Sequence, residues 1–71
     1  MRKQSEINRA IAYLEERNYD PICRIQREVL EEKRSESWVF NRYVRDVPED
    51  ERNETLFYAA RDAAQFLAGK I

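Results

Sequence analysis

Apolar residues in the first half of the chain recur at intervals of three and four, which places them on one face of a helix. The segment 4–17 carries Ile7, Ala10, Ile11 and Leu14 on such a face. The segment 21–33 carries Ile22, Ile25, Val29 and Leu30, with Cys23 at the border. We predict one helix over each segment. The first ends at a left-handed Asn18, and Asp20-Pro21 starts the second.

The stretch 35–47, SESWVFNRYVRDV, is rich in residues that favour strands. Read as a strand, both of its faces would mix apolar with charged side chains. Read as a helix, it sorts into a core arc of roughly 140° and a polar arc of roughly 100°. The core arc holds Val39, Phe40, Tyr43, Val44 and Val47, and the polar arc holds Trp38, Asn41, Arg42 and Arg45. We therefore predict a helix over 36–46, capped by Ser35 or Ser37 and ended by Pro48.

The last helix is predicted over 54–68, between Asn53 as N-cap and Gly69 as C-terminal stop. Its apolar side is rich in alanine, which lets another helix backbone approach closely. This helix should be the centre of the packing, with Leu56, Ala60, Ala63, Ala64 and Leu67 inward and Phe57, Ala59 and Phe66 at the edges. The pattern as a whole predicts an all-α bundle of about four helices in a single domain, 1–71.

Composition adds a limit on stability and an uneven distribution of charge. A chain of 71 residues with 42% hydrophobic and 38% charged residues can fold, but its core is small. Self-association as a homodimer is therefore an open alternative. The net charge is −1. Acids concentrate in the segment 46–54, DVPEDERNE, which we call the acidic bend.

The residue types present argue against catalysis. The chain has no histidine, which removes the most common general base and metal ligand, and one glycine, which removes phosphate-binding loops. The one cysteine, Cys23, lacks an activating partner and is expected to be structural. We predict no enzyme activity, no cofactor and no metal site. The unpaired cysteine and the absence of an apolar run of spanning length favour a cytoplasmic protein outside the membrane.

The polar arc of the third helix is the candidate contact surface. It combines Trp38 with Asn41, Arg42 and Arg45, and tryptophan and arginine are enriched at binding hot spots. We predict that the chain binds a protein partner through these four residues. The competing interpretation of Trp38 is that it packs partly against the first or second helix, with the arginines only solvating the surface around it.

Two other functions stay open at this point. The second and third helices could form a helix-turn-helix-like unit that offers Asn41, Arg42 and Arg45 to DNA, with Lys33 or Arg34 on the backbone. The slightly negative net charge opposes this alternative. In the third hypothesis, the acids of the bend and of the first helix imitate a nucleic acid and block a basic partner.

Overall fold

The chain folds into four helices joined by short turns. The computed structural model describes residues 4–19 and 22–71, with side chains from residue 24 onward in the second range. The helices are α1 at Gln4–Glu16, α2 at Ile22–Ile25 with a π-helical continuation at Gln26–Leu30, α3 at Glu36–Phe40 with a π-helical continuation at Asn41–Arg45, and α4 at Glu54–Leu67. A single 3₁₀ turn, Glu49–Glu51, lies in the acidic bend. The described residues contain no strand, so the predicted all-α bundle is confirmed.

Three helices are each followed, two or three residues after the last helical residue, by a residue with left-handed backbone. Asn18 has φ 58°, Lys33 has φ 56° and Gly69 has φ 76°. In each case the next amide donates to a carbonyl five residues earlier, which satisfies one of the orphan acceptors at the helix end. Asn18 and Gly69 confirm the prediction. Lys33 was not predicted as a stop, and α2 ends at Leu30, before the predicted boundary at residue 33.

The helix starts also depend on identifiable side chains. The Ser35 hydroxyl accepts a hydrogen bond of 3.2 Å from the Trp38 amide, so Ser35 rather than Ser37 caps α3. The Asn53 side chain accepts a hydrogen bond of 3.0 Å from the Leu56 amide at the start of α4, as predicted. The predicted start of α2 at Asp20-Pro21 lies outside the described residues.

Both short helices change from α to π geometry after one turn. The Glu31 amide donates to the Gln26 carbonyl at 2.9 Å, and the Asp46 amide donates to the Asn41 carbonyl at 2.9 Å. Bonds between residues five apart enclose one more residue per turn than an α-helix does. The side chains after Phe40 therefore lie at angles that a regular helical spacing does not predict.

The core forms around α4, which contacts α1, α2 and α3. Ala59, Ala60 and Ala63 of α4 are fully buried, and Ala64 is nearly so. Because these side chains are small, the larger core residues of the other helices approach the α4 backbone closely. The larger core residues are Ile7 and Leu14 of α1, Ile25, Val29 and Leu30 of α2, and Val39 and Tyr43 of α3. The predicted central role of α4 is confirmed.

The structure corrects the predicted inward faces of α3 and α4. Val39 and Tyr43 are buried, but the exposed fraction of Phe40 is 49%, so its assignment to the core was wrong. Phe40 lies inside the predicted arc, but the buried side of α3 is centred on Val39 and Tyr43, and the Phe40 ring meets Phe57 at the rim of the core. Ala59, predicted at an edge of α4, is fully buried.

Candidate interaction surface

The ring of Trp38 contacts two other side chains, those of Arg34 and Tyr43. The Arg34 guanidinium carbon lies 4.7 Å from the ring centroid, and the Tyr43 ring meets it edge-on with centroids 6.3 Å apart. Trp38 is partly buried and packs against the core, while part of its ring stays accessible. Trp38 is therefore partly covered, as the competing interpretation expects, and its role in binding stays a prediction. We call the surface formed by Arg34, Trp38 and Arg42 the tryptophan face.

A polar network between α2 and α3 connects Glu28 to two residues at the tryptophan face: Tyr43, whose ring contacts Trp38, and Arg42. The Tyr43 hydroxyl donates a 2.7 Å hydrogen bond to Glu28, and Arg24 Nε donates one of 3.3 Å to the same carboxylate. Arg42 Nε lies 4.0 Å from Glu28 Oε2. Glu28 thus draws Arg42 toward the seam between the two helices. The sequence spacing of Arg24 and Glu28, four apart on one helix, could have indicated their pairing. The link to Tyr43 depends on how the helices cross.

The network changes the acidity of its members. Burial alone raises the pKa of Glu28, but the hydrogen bonds from Tyr43 and Arg24 outweigh it and hold that pKa below its usual value. Burial raises the pKa of Tyr43 far above its ordinary value, and the bond to Glu28 adds to this effect. The pair therefore exists as a neutral phenol that donates to an ionised carboxylate.

The other two predicted site residues do not join this network. Arg45 is exposed, and its Nε lies 3.0 Å from Asp46 Oδ1. Asn41 is partly buried and lines a shallow depression of about 370 Å³ between α3 and α4. Trp38 and Arg42 both lie against the Tyr43 ring, whereas Asn41 and Arg45 make no contact with it.

A row of three aromatic side chains lies on the opposite flank of α3. The ring centroids of Phe40 and Phe57 are 6.3 Å apart, and those of Phe57 and Tyr58 are 5.2 Å apart. The exposed fraction of Tyr58 is 42%, close to that of Phe40. We call Phe40, Phe57 and Tyr58 the aromatic row. Sequence reasoning missed it, although Tyr58 falls opposite the alanine stripe of α4 and so was detectable from helical spacing.

Arg61 continues the aromatic row on α4. Its guanidinium carbon lies 4.8 Å from the centroid of the Tyr58 ring, and its Nη2 lies 3.6 Å from Asp62 Oδ1. Its Nε is shielded from solvent and has no hydrogen-bond acceptor among the described residues. This donor is buried and unpaired, while 41% of the Arg61 side chain as a whole stays exposed beside the aromatic row.

The two ends of α3 are fixed to the rest of the fold by polar contacts. At its start, Glu36 accepts hydrogen bonds from Lys70 and from Gln65 of α4. These bonds, that of Lys70 first, lower the pKa of Glu36. At its end, Arg52 Nε donates to the carbonyls of Val44 at 3.1 Å and of Val47 at 3.2 Å. These contacts hold α3 against α4 and tie the acidic bend to it.

Other kinds of site are not formed by the part of the chain that the structure describes. Over residues 4–19 and 24–71, no three acidic side chains lie close enough together to hold a metal ion. No helix in the same ranges is long and apolar enough to cross a membrane.

Comparison of the chain with models of known protein families, with curated proteins and with solved structures gives no match.

Proposed function

We propose that the chain is a non-enzymatic interaction protein that binds a protein partner through the tryptophan face. The observation that carries the proposal is the position of Trp38, accessible in part and held between Arg34 and Tyr43. A large aromatic side chain that is already ordered loses little conformational entropy on binding. Tryptophan and arginine side chains in this arrangement are typical of the residues that dominate binding energy.

The charges around this face favour a protein partner over duplex DNA. Each arginine of the outer surface of α3 and its preceding turn lies near a carboxylate: Arg34 near Glu32 at 2.8 Å, Arg42 near Glu28 at 4.0 Å and Arg45 near Asp46 at 3.0 Å. A phosphate backbone docked on these arginines would also approach those acids. DNA binding gains most of its affinity from uncompensated positive charge, so this arrangement suits a mixed protein surface better.

The test reverses charge on the tryptophan face without removing the ring that packs on the core. Tagged wild-type protein and the double variant R34E/R42E are used to capture partners from an extract of the source cells, with quantification by mass spectrometry. A protein that is enriched on the wild type and reduced at least tenfold on the variant supports the proposal. The matched control is Arg9→Glu on α1, which should retain the same protein.

The wild type and its variants also distinguish the competing explanations of a lost partner. Far-ultraviolet circular dichroism must show that R34E/R42E is folded, since an unfolded variant would lose any partner. Trp38→Phe keeps an aromatic ring at that position and should weaken capture without loss of the fold. Duplex DNA that binds the wild type with an affinity that falls steeply with salt, and fails to bind R34E/R42E, would replace the protein partner by DNA.

A further inference from the structure

The side of α4 opposite its buried alanines carries a stripe of residues that the monomer covers only in part. Glu54, Phe57, Tyr58 and Arg61 follow one another at spacings of three, one and three, which places them on one side of the helix. The fully buried residues Ala59, Ala60 and Ala63 lie on the other side. Tyr58 is 42% exposed, and Glu54 is exposed as well. Phe57 and Arg61 are partly buried, and Phe57 also packs against the core. The stripe therefore offers Glu54 and Tyr58, with the accessible parts of Phe57 and Arg61, to solvent.

The order of residues along this stripe is self-complementary. In an isologous dimer the same patch of both copies forms the interface. Whenever residue i of one copy contacts residue j of the second copy, residue j of the first also contacts residue i of the second. If two α4 helices pack antiparallel about a point between Phe57 and Tyr58, each Phe57 opposes the Tyr58 of the second copy. The same register places Glu54 opposite Arg61, twice. The two charges lie seven residues apart, about 10 Å along the helix at about 1.5 Å per residue.

We infer that the chain forms a homodimer by antiparallel packing of two α4 helices through Glu54, Phe57, Tyr58 and Arg61. Phe40 extends the apolar centre of this surface because its ring meets Phe57 edge-on, and it is 49% exposed in the monomer. A second copy would cover the aromatic row.

The charged ends of the stripe favour a second copy over an unrelated occupant. Glu54 makes no ion pair with any residue in the described part of the chain, and 41% of the Arg61 side chain is exposed. Arg61 approaches Asp62 at 3.6 Å and Tyr58 at 4.8 Å, contacts that leave its remaining donors available. The antiparallel register supplies a carboxylate to each Arg61 and a guanidinium to each Glu54. This inference does not depend on the proposed partner, because the tryptophan face lies on the other flank of α3.

The antiparallel register predicts a homodimer that charge reversal at either Glu54 or Arg61 weakens. Sedimentation equilibrium over a dilution series should give a mass that rises toward twice the 8.6 kDa of one chain. Glu54→Arg alone places two arginines opposite each other, and Arg61→Glu alone places two glutamates opposite each other. Each single variant should weaken dimerisation at least tenfold, because like charges across an interface oppose association.

Rescue tests the pairing itself. An equimolar mixture of the Glu54→Arg and Arg61→Glu variants should recover a mixed dimer, since both contacts then join opposite charges. The double variant E54R/R61E should dimerise by itself. Arg9→Glu and Glu15→Arg, which change charge on α1, serve as matched controls and should dimerise as the wild type does. Circular dichroism confirms that each variant is folded.

Three results would overturn the inference. A wild type that stays monomeric throughout the dilution series excludes the dimer. A dimer that neither single variant weakens is formed by another surface. Loss of dimerisation in both single variants without recovery in the mixture or in E54R/R61E shows that the charges act through something other than this register.

Discussion

The Tyr43 hydroxyl donates a 2.7 Å hydrogen bond to the Glu28 carboxylate, and this contact joins α3 to α2 in the partly buried seam between them. The two residues are fifteen apart in the sequence, so the bond forms only when the helices pack. Tyr43 also supports the edge of the Trp38 ring. The pair therefore couples the stability of the fold to the position of the tryptophan.

Tyr43→Phe removes the hydroxyl and keeps the ring. We expect it to lower the free energy of unfolding by about 1–2 kcal/mol, because the lost hydrogen bond is to a charged, partly buried acceptor. Urea denaturation measures the change. A double-mutant cycle with Glu28→Gln should give a coupling energy of about 1 kcal/mol.

The matched control for this variant is Tyr58→Phe, since Tyr58 is exposed and its hydroxyl makes no hydrogen bond with the described residues. Its free energy of unfolding should change by no more than about 0.5 kcal/mol. Equal losses in the two variants would mean that the Tyr43 hydroxyl contributes nothing specific.

Acid should destabilise the protein in part through Glu28. Burial opposes ionisation of this carboxyl, but the bonds from Tyr43 and Arg24 hold its pKa below the ordinary 4.5. A group with a lowered pKa in the folded state stabilises fully above its unfolded value and loses that contribution as the pH falls through the folded value. Glu28→Gln should therefore show a smaller drop in the free energy of unfolding between about pH 6 and about pH 3 than the wild type.

Glu36 should add to the same acid sensitivity, because hydrogen bonds from Lys70 and Gln65 lower its pKa. Glu36→Gln is the companion variant, and E28Q/E36Q should have the flattest profile of the set. Chemical denaturation at a series of pH values gives the four curves. A Glu28→Gln curve parallel to that of the wild type would contradict the assigned role of Glu28.

The cap of α3 can be tested by two neighbouring serines. Ser35 accepts the Trp38 amide, so Ser35→Ala should lower the free energy of unfolding by about 1 kcal/mol. Ser37 is exposed in the first turn, and Ser37→Ala should change it by no more than about 0.5 kcal/mol. Thermal unfolding distinguishes the two variants, and the reverse order of effects would place the cap at Ser37.

The left-handed residues at two helix ends predict that glycine is the more stable residue at both positions. Lys33 has φ 56°, so Lys33→Gly should relieve backbone strain and raise the free energy of unfolding by about 0.5 kcal/mol after the entropy cost of glycine. Gly69 has φ 76°, and an added Cβ there would meet no atom within 4 Å. Gly69→Ala should therefore lose about 1 kcal/mol through backbone strain alone.

Lys33→Ala is the control for this pair, because alanine keeps the strain of a non-glycine residue at that position. It should unfold within about 0.5 kcal/mol of the wild type. Thermal and urea unfolding of all three variants give the comparison. A Lys33→Gly variant that is no more stable than Lys33→Ala would show that the left-handed turn is not strained.

Local signals in the sequence were sufficient for much of this fold. The helical stripes of α1 and α4 follow regular spacing, and Asn18, Asn53 and Gly69 terminate helices by mechanisms that act within a few residues. Lys33 escaped prediction because nothing in its own chemistry favours left-handed geometry. Its conformation follows from the path that the chain must take between α2 and α3.

The arrangement of the candidate site was predictable only in part. A regular helical spacing places Trp38, Asn41, Arg42 and Arg45 on one arc, but α3 widens into π geometry at Asn41. The backbone change separates the surroundings of Arg45 from those of Arg42. Phe40 shows a different limit, since whether a residue inside a predicted core arc is covered depends on the side chains opposite it on another helix.

Trp38 gives the protein an intrinsic fluorescent probe. Trp38 is the only tryptophan, so all indole fluorescence reports on the surroundings of its ring. The guanidinium of Arg34 and the edge of Tyr43 set the electric field and the polarity around that indole. A shift in the wavelength of maximum tryptophan emission can therefore report the loosening of the seam between α2 and α3 in acid, or the binding of a partner, without an added label.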